Sequence, residues 1–204
     1  MKKFTLVLMT VAIMIFAASP LFAEGMMFGV KAGLNLANLT GDDVSDTAIK
    51  PGMIGGGFFC YNITEIFAVQ PEVLFAMKGA KASEGDGKWN INYIEIPVLF
   101  KVNLPTEGKI DPFLCVGPGI GILLSSKQTD GEEVDVKDFT KSTNFGIIAG
   151  AGAAYQLEKG AISLEARYEV GLSTIADAGD DADVAEPSIK TSDISFLVGY
   201  GFAF

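Results

Sequence analysis

The chain contains no histidine. That removes the usual general base of Ser-His-Asp and Cys-His catalysis, and every imidazole metal ligand. Basic residues are also scarce: 15 Lys and Arg stand against 25 Asp and Glu, a net charge of −10. Such a balance excludes charge-driven binding to nucleic acid. After the amino terminus there is no run of about 18 apolar residues, so no transmembrane helix is encoded there. Yet 49% of the residues are hydrophobic. The apolar content is therefore dispersed, as it is in strands. Glycine and phenylalanine are plentiful, at 24 and 15 residues, which fits a β-protein.

The amino terminus reads as a targeting segment. Lys2 and Lys3 are followed by an apolar run from Phe4 to Ala18 and by Ser19-Pro20-Leu21-Phe22-Ala23, a cleavage-type sequence. Residues 1–23 are thus expected to be a signal peptide and residues 24–204 the mature domain. Loss of Lys2 and Lys3 leaves 13 basic and 25 acidic residues, a net of −12. Export permits a disulfide between the two cysteines, Cys60 and Cys115. They lie on strands that are not adjacent in sequence, and a bridge needs Cα atoms within about 7 Å. Two free thiols, buried or lipid-facing, are expected.

Period-two alternation runs through the mature chain. It is plainest at the end, Ser192 to Phe204, where Phe196, Val198, Tyr200, Phe202 and Phe204 share one face. Ser195, Leu197, Gly199, Gly201 and Ala203 share the other. The same pattern predicts strands over 28–36, 53–61, 66–78, 89–102, 112–124, 143–156 and 161–172. Pro71, inside the third of these, cannot donate to a ladder and predicts a bulge or distortion. The count is eight, with mostly long connections after odd strands and shorter turns after even ones. This predicts an all-β fold: an eight-stranded, antiparallel, up-and-down transmembrane β-barrel behind a cleaved signal peptide, with both termini periplasmic.

Volume decides which face points inward. An eight-stranded barrel has an interior that side chains just fill. One face carries roughly forty mostly large apolar residues; the other is rich in Gly, Ala and Ser. Only the small face fits inside. Its charges are mixed in sign: Lys31, Glu72, Lys78, Glu95, Lys101, Glu165, Arg167 and Glu169. Four acids and four bases in a confined space predict a paired-charge network, because an unpaired buried charge is costly. Aromatic residues fall near the strand ends. Phe28, Tyr61, Phe67, Phe100, Phe113, Tyr155 and Phe204 are assigned to one interface girdle, and Trp89, Phe75, Phe145 and Phe196 to the other.

Several segments carry a family resemblance: Gln70-Pro71-Glu72, Tyr93-Ile94-Glu95-Ile96-Pro97, Gly117-Pro118 and Arg167-Tyr168-Glu169-Val170-Gly171-Leu172, in this order. The mature chain resembles the PorT-like outer-membrane β-barrel family of Bacteroidota and related Gram-negative bacteria. The resemblance implies an outer-membrane barrel and assigns no activity, although a few such proteins resemble components of protein secretion.

Gly117-Pro118-Gly119-Ile120-Gly121 and Gly150-Ala151-Gly152 lack the Lys-Ser/Thr and the following helix of a phosphate loop. The run Asp177 to Asp183 lacks EF-hand spacing and its closing Glu. Glu165 and Glu169, with Arg167 between them, read as an ion network before a catalytic pair. The missing histidine also argues against barrel proteases and lipid-modifying barrels that depend on one. The expected function is therefore a non-enzymatic outer-membrane barrel with a structural role or loop-mediated surface interactions, without cofactor or metal. A narrow pore for small solutes or ions is one alternative. An accessory role in secretion and a soluble periplasmic lipocalin-like binding barrel are the others. Expected partners are outer-membrane lipid, the barrel-assembly machinery through the closing strand, and an unidentified surface or envelope protein, but no nucleic acid.

Overall fold

The computed structural model describes residues 25–42, 44, 47–177 and 187–203. The expected signal peptide, nearly all of the acidic run after Asp177, and Phe204 lie outside the described residues. The strands are β1 (Met26–Thr40), β2 (Thr47–Ala48), β3 (Lys50–Asn62), β4 (Phe67–Ala82), β5 (Lys88–Asn103), β6 (Ile110–Asp130), β7 (Glu132–Asp135), β8 (Thr143–Leu157), β9 (Gly160–Gly171) and β10 (Lys190–Ala203). Eight of them form the wall, each paired antiparallel with its neighbours, and β1 pairs with β10 to close the ring. That seam runs without a break from Met27↔Ala203 to Thr40↔Lys190. Closure leaves the wall without a free edge, as a sheet in hydrocarbon requires. Among the described residues no helix is long and apolar enough to cross a membrane.

The β3–β4, β5–β6 and β8–β9 turns lie at one mouth, here the turn end, with the start of β1 and the end of β10. The longer connections lie at the other, the loop end. There the structure departs from the sequence reading. Residues 125–142 were expected to form a loop, but β6 continues to Asp130 and folds back as β7. Asp130-Gly131 makes the turn, with Gly131 at φ +80°, a conformation that favours glycine. Lys127 Nζ bonds Glu133 Oε1 at 2.6 Å across the hairpin. An Asp-Gly pair is a hairpin signal, so this extension was readable.

The wall alternates as the sequence predicts. Along β9, Ile162, Leu164, Tyr168 and Val170 are exposed, while Glu165 and Arg167 are buried. Pro71 opens a gap rather than a bulge. Pairing skips from Phe58↔Glu72 to Tyr61↔Val69 on one side and from Pro71↔Val98 to Leu74↔Glu95 on the other. Neither register shifts; the shift lies between β5 and β6, at Asn92/Tyr93.

Inside, glycines make room for large side chains. A Cβ at Gly29 would stand 2.6 Å from Phe58 Cζ, and one at Gly152 would stand 2.5 Å from Phe113 Cζ. Two of the aromatic girdle assignments are corrected by this packing. Phe113 is 3% exposed and points inward, on the parity of Cys115. Trp89 also turns inward and donates to Ser126 Oγ at 2.8 Å. It packs on the cluster of Leu39, Ala80, Ile91, Tyr93, Leu123 and Ile175 that fills the loop end. Ring position along a strand says nothing about its face; parity does. Phe28, Phe67, Phe100 and Tyr155 at the turn end, and Phe75, Phe145 and Phe196 toward the loop end, do face outward.

Candidate functional site in the barrel lumen

Charged inward positions of β1, β4 and β9, namely Lys31, Glu72, Glu165 and Arg167, meet across the axis. Arg167 lies at the centre of the first group. Its Nη1 and Nη2 donate to Glu72 Oε2 and Oε1, both at 2.7 Å. Its Nε and Nη2 donate to Glu165 Oε1 and Oε2, at 2.6 and 3.0 Å. The guanidinium thus forks onto two carboxylates at once, a geometry lysine cannot copy. Lys31 Nζ closes the ring, 2.8 Å from Glu72 Oε1 and 3.0 Å from Glu165 Oε2. Gln70 Nε2 donates to Glu72 Oε1, and Cys115 Sγ lies 3.2 Å from Glu165 Oε1. Two cations face two carboxylates, and all four side chains are almost fully buried.

The second group lies nearer the loop end. Lys78 Nζ contacts Glu169 Oε1 at 2.7 Å, Asp193 Oδ2 at 2.9 Å, and Glu95. An ammonium has three donors, and here it has three carboxylate neighbours. Asn35 Nδ2 reaches Asp193 Oδ1 at 3.4 Å and Ser195 Oγ donates to Asn35 Oδ1 at 2.8 Å. Lys50 Nζ donates to the Lys78 carbonyl at 2.9 Å.

Seven of the eight charged residues singled out in the sequence fall in these two groups. Lys101 stands apart. Its Nζ donates to Gln70 Oε1 at 3.2 Å and lies 4.0 Å from the Phe113 ring centroid. Glu165 and Glu169 are divided between the two groups, so no carboxylate pair forms on β9. Two charges escaped the sequence reading. Asp193 lies within the closing stretch, two residues before Ser195 and with its inward parity. Lys50 was assigned to a loop, whereas β3 begins there. With these two included, the lumen holds five cations and five anions. Of the closing-strand residues, Phe196, Val198 and Phe202 are exposed on the outer face. Tyr200 packs edge-on to Phe202 at 4.6 Å between centroids. Phe204 lies outside the described residues.

Cys60 and Cys115 are both free, buried and inward-facing. At the turn end the lumen opens into a cavity of about 180 Å³ bordered by Lys101, Phe58, Phe113, Cys60 and Gln70. Among the described residues no cluster of three or more Cys, Asp or Glu could hold a metal ion.

No curated protein matches the chain in sequence. The fold is shared with solved outer-membrane barrels. Neisserial surface protein A superposes with a TM-score of 0.55 at 13% identity, over 89% of this chain and 100% of that one. The outer membrane protein OprG of Pseudomonas aeruginosa gives a TM-score of 0.52 at 14% identity, over 88% and 96%. At these identities the likeness concerns the fold. The family model of the outer membrane protein beta-barrel domain matches residues 19–177. The chain belongs to that outer-membrane β-barrel family.

Proposed function

We propose that this protein is a non-enzymatic outer-membrane barrel with a closed lumen, acting as a structural element of the envelope and through its loops. The observation that carries this reading is the pair of buried ion clusters. Arg167, Lys31, Glu72 and Glu165 span the bore from opposite walls, and Lys78 with its carboxylates spans it again toward the loop end. Apolar side chains, Leu74, Leu99, Leu197 and Ile148, fill space between and around them, each at most 3% exposed. A wide bore needs more strands than eight. Among the described residues, the lumen thiol Cys115 faces Glu165, a carboxylate already held by Arg167 and Lys31.

On this reading both termini lie in the periplasm, the apolar wall meets outer-membrane lipid, and β10 engages the barrel-assembly machinery. The β6–β7 hairpin and the long connections then face outward, where an envelope or surface partner would meet them. The PorT-like motifs support a placement in that subgroup. Planar-bilayer recording of the refolded barrel tests the closed lumen. No conductance steps above background are expected. Reproducible steps would make the protein a pore.

A further inference from the structure

We infer that the cavity at the turn end is a binding site for a small organic monoanion, a carboxylate with an apolar body, held by Lys101. Four observations carry this. First, Lys101 is the lumen cation at this mouth that has no carboxylate within ion-pair distance among the described residues. The neighbouring Lys31 and Arg167 are each ion-paired with both Glu72 and Glu165. Second, Lys101 borders a cavity, of about 180 Å³, open to the mouth. Its one protein acceptor is Gln70 Oε1, so two of the three ammonium protons remain for a ligand.

Third, two aromatic rings, Phe58 and Phe113, stand in a wall that also carries Asn62, Asn103, Gln156 and Ser163. Phe113 lies under the Lys101 ammonium, and Phe58 lies under that of Lys31, 4.9 Å from the ring centroid. Such walls suit a hydrocarbon body, with a few polar groups fixing its orientation. Fourth, the donor set is small. One unsatisfied ammonium matches one negative charge, whereas a phosphate dianion calls for several cations or a nest of amides. The acidic residues at the mouth do not compete for the ammonium. Asp111 accepts from the Thr106 amide at 3.1 Å and from Gln156 Nε2 at 2.8 Å, and Glu65 is exposed at the mouth.

The inference does not depend on which side of the membrane the turn end faces, nor on a closed lumen. Its test uses the full refolded barrel in detergent micelles, with benzoate as probe and benzylammonium and inorganic phosphate as controls. Chemical shifts are followed by NMR against protein-free micelles. Saturable shifts are expected with benzoate at Phe58, Gln70, Lys101 and Phe113, and with neither control. Lys101→Met should weaken binding at least tenfold. It removes no carboxylate's partner, so the barrel should still show its heat-dependent mobility on a gel. Lys50→Met, a change at the loop end, should leave benzoate binding as it was. Should Lys101→Met not fold, the wild-type shift map decides. Shifts confined to the loop end or the outer wall, no saturation, equal binding of phosphate, or full binding by a folded Lys101→Met barrel would each overturn the site.

Discussion

The two ion clusters of the lumen both join basic side chains to carboxylates, but to different rules. Around Arg167 the charges balance, two against two, and each carboxylate touches both cations. Around Lys78 one ammonium serves three carboxylates, with Lys50 close by on the backbone of Lys78. The first cluster is a closed ring in which every member is needed. The second carries more acid than its one direct partner can neutralise. Breaking a buried pair leaves an uncompensated charge, while removing surplus charge does not. Similar substitutions should therefore cost much more in the first place than in the second.

The largest effect is expected at the centre of the balanced ring. Arg167→Met leaves Glu72 and Glu165 sharing Lys31 alone, and should cost about 3–5 kcal/mol in urea unfolding of the refolded barrel. A loss under about 1 kcal/mol would show the ring to be ornamental. Next is the wall. Leu164 is 62% exposed at the middle of β9. An arginine near the bilayer midplane costs about 2–4 kcal/mol, so Leu164→Arg should unfold at lower urea in lipid. An unchanged midpoint would place that face in water.

The sharpest comparison is between two conservative changes. Glu72 accepts from Arg167, Lys31 and Gln70, and Glu72→Gln puts an amide donor among them; about 2–3 kcal/mol should be lost. Glu95→Gln removes one surplus negative charge beside Lys78 and should lie within about 1 kcal/mol of the parent, on either side. Equal losses would erase the distinction between the clusters. Smallest of all is the exposed pair of the β6–β7 hairpin, Lys127 with Glu133. Lys127→Ala should leave the unfolding midpoint unchanged within error, since exposed pairs contribute little and salt screens them.

Much of this was legible beforehand, because a barrel wall is written in parity. Strand count, inward face and lipid-facing side chains such as Phe196, Val198 and Phe202 follow from period two and volume alone. Parity also contained Asp193, which continues the inward series through Ser195 and Leu197. What parity cannot give is who meets whom across the bore. Arg167 and Glu72 are 95 residues apart. Their meeting depends on register and on the tilt of the wall, neither of which is set by any local pattern. The position of Lys101 beside Phe113, rather than beside a carboxylate, has the same origin. Trp89 and Phe113 show the converse: aromatic placement near a strand end was taken for a girdle, while their parity already sent them inside.

The central claim is that the exposed apolar wall contacts hydrocarbon. It is tested most directly by spin labels placed singly at Ile162, Leu164, Ala166, Tyr168 and Val170 of β9 in the barrel reconstituted into bilayers. Their collision rates with oxygen and with a water-soluble nickel chelate are then compared. Lipid contact predicts high oxygen and low nickel accessibility, with the contrast greatest near Leu164 and Ala166 and fading toward both ends. High nickel accessibility along all five positions would contradict it and place the wall in water.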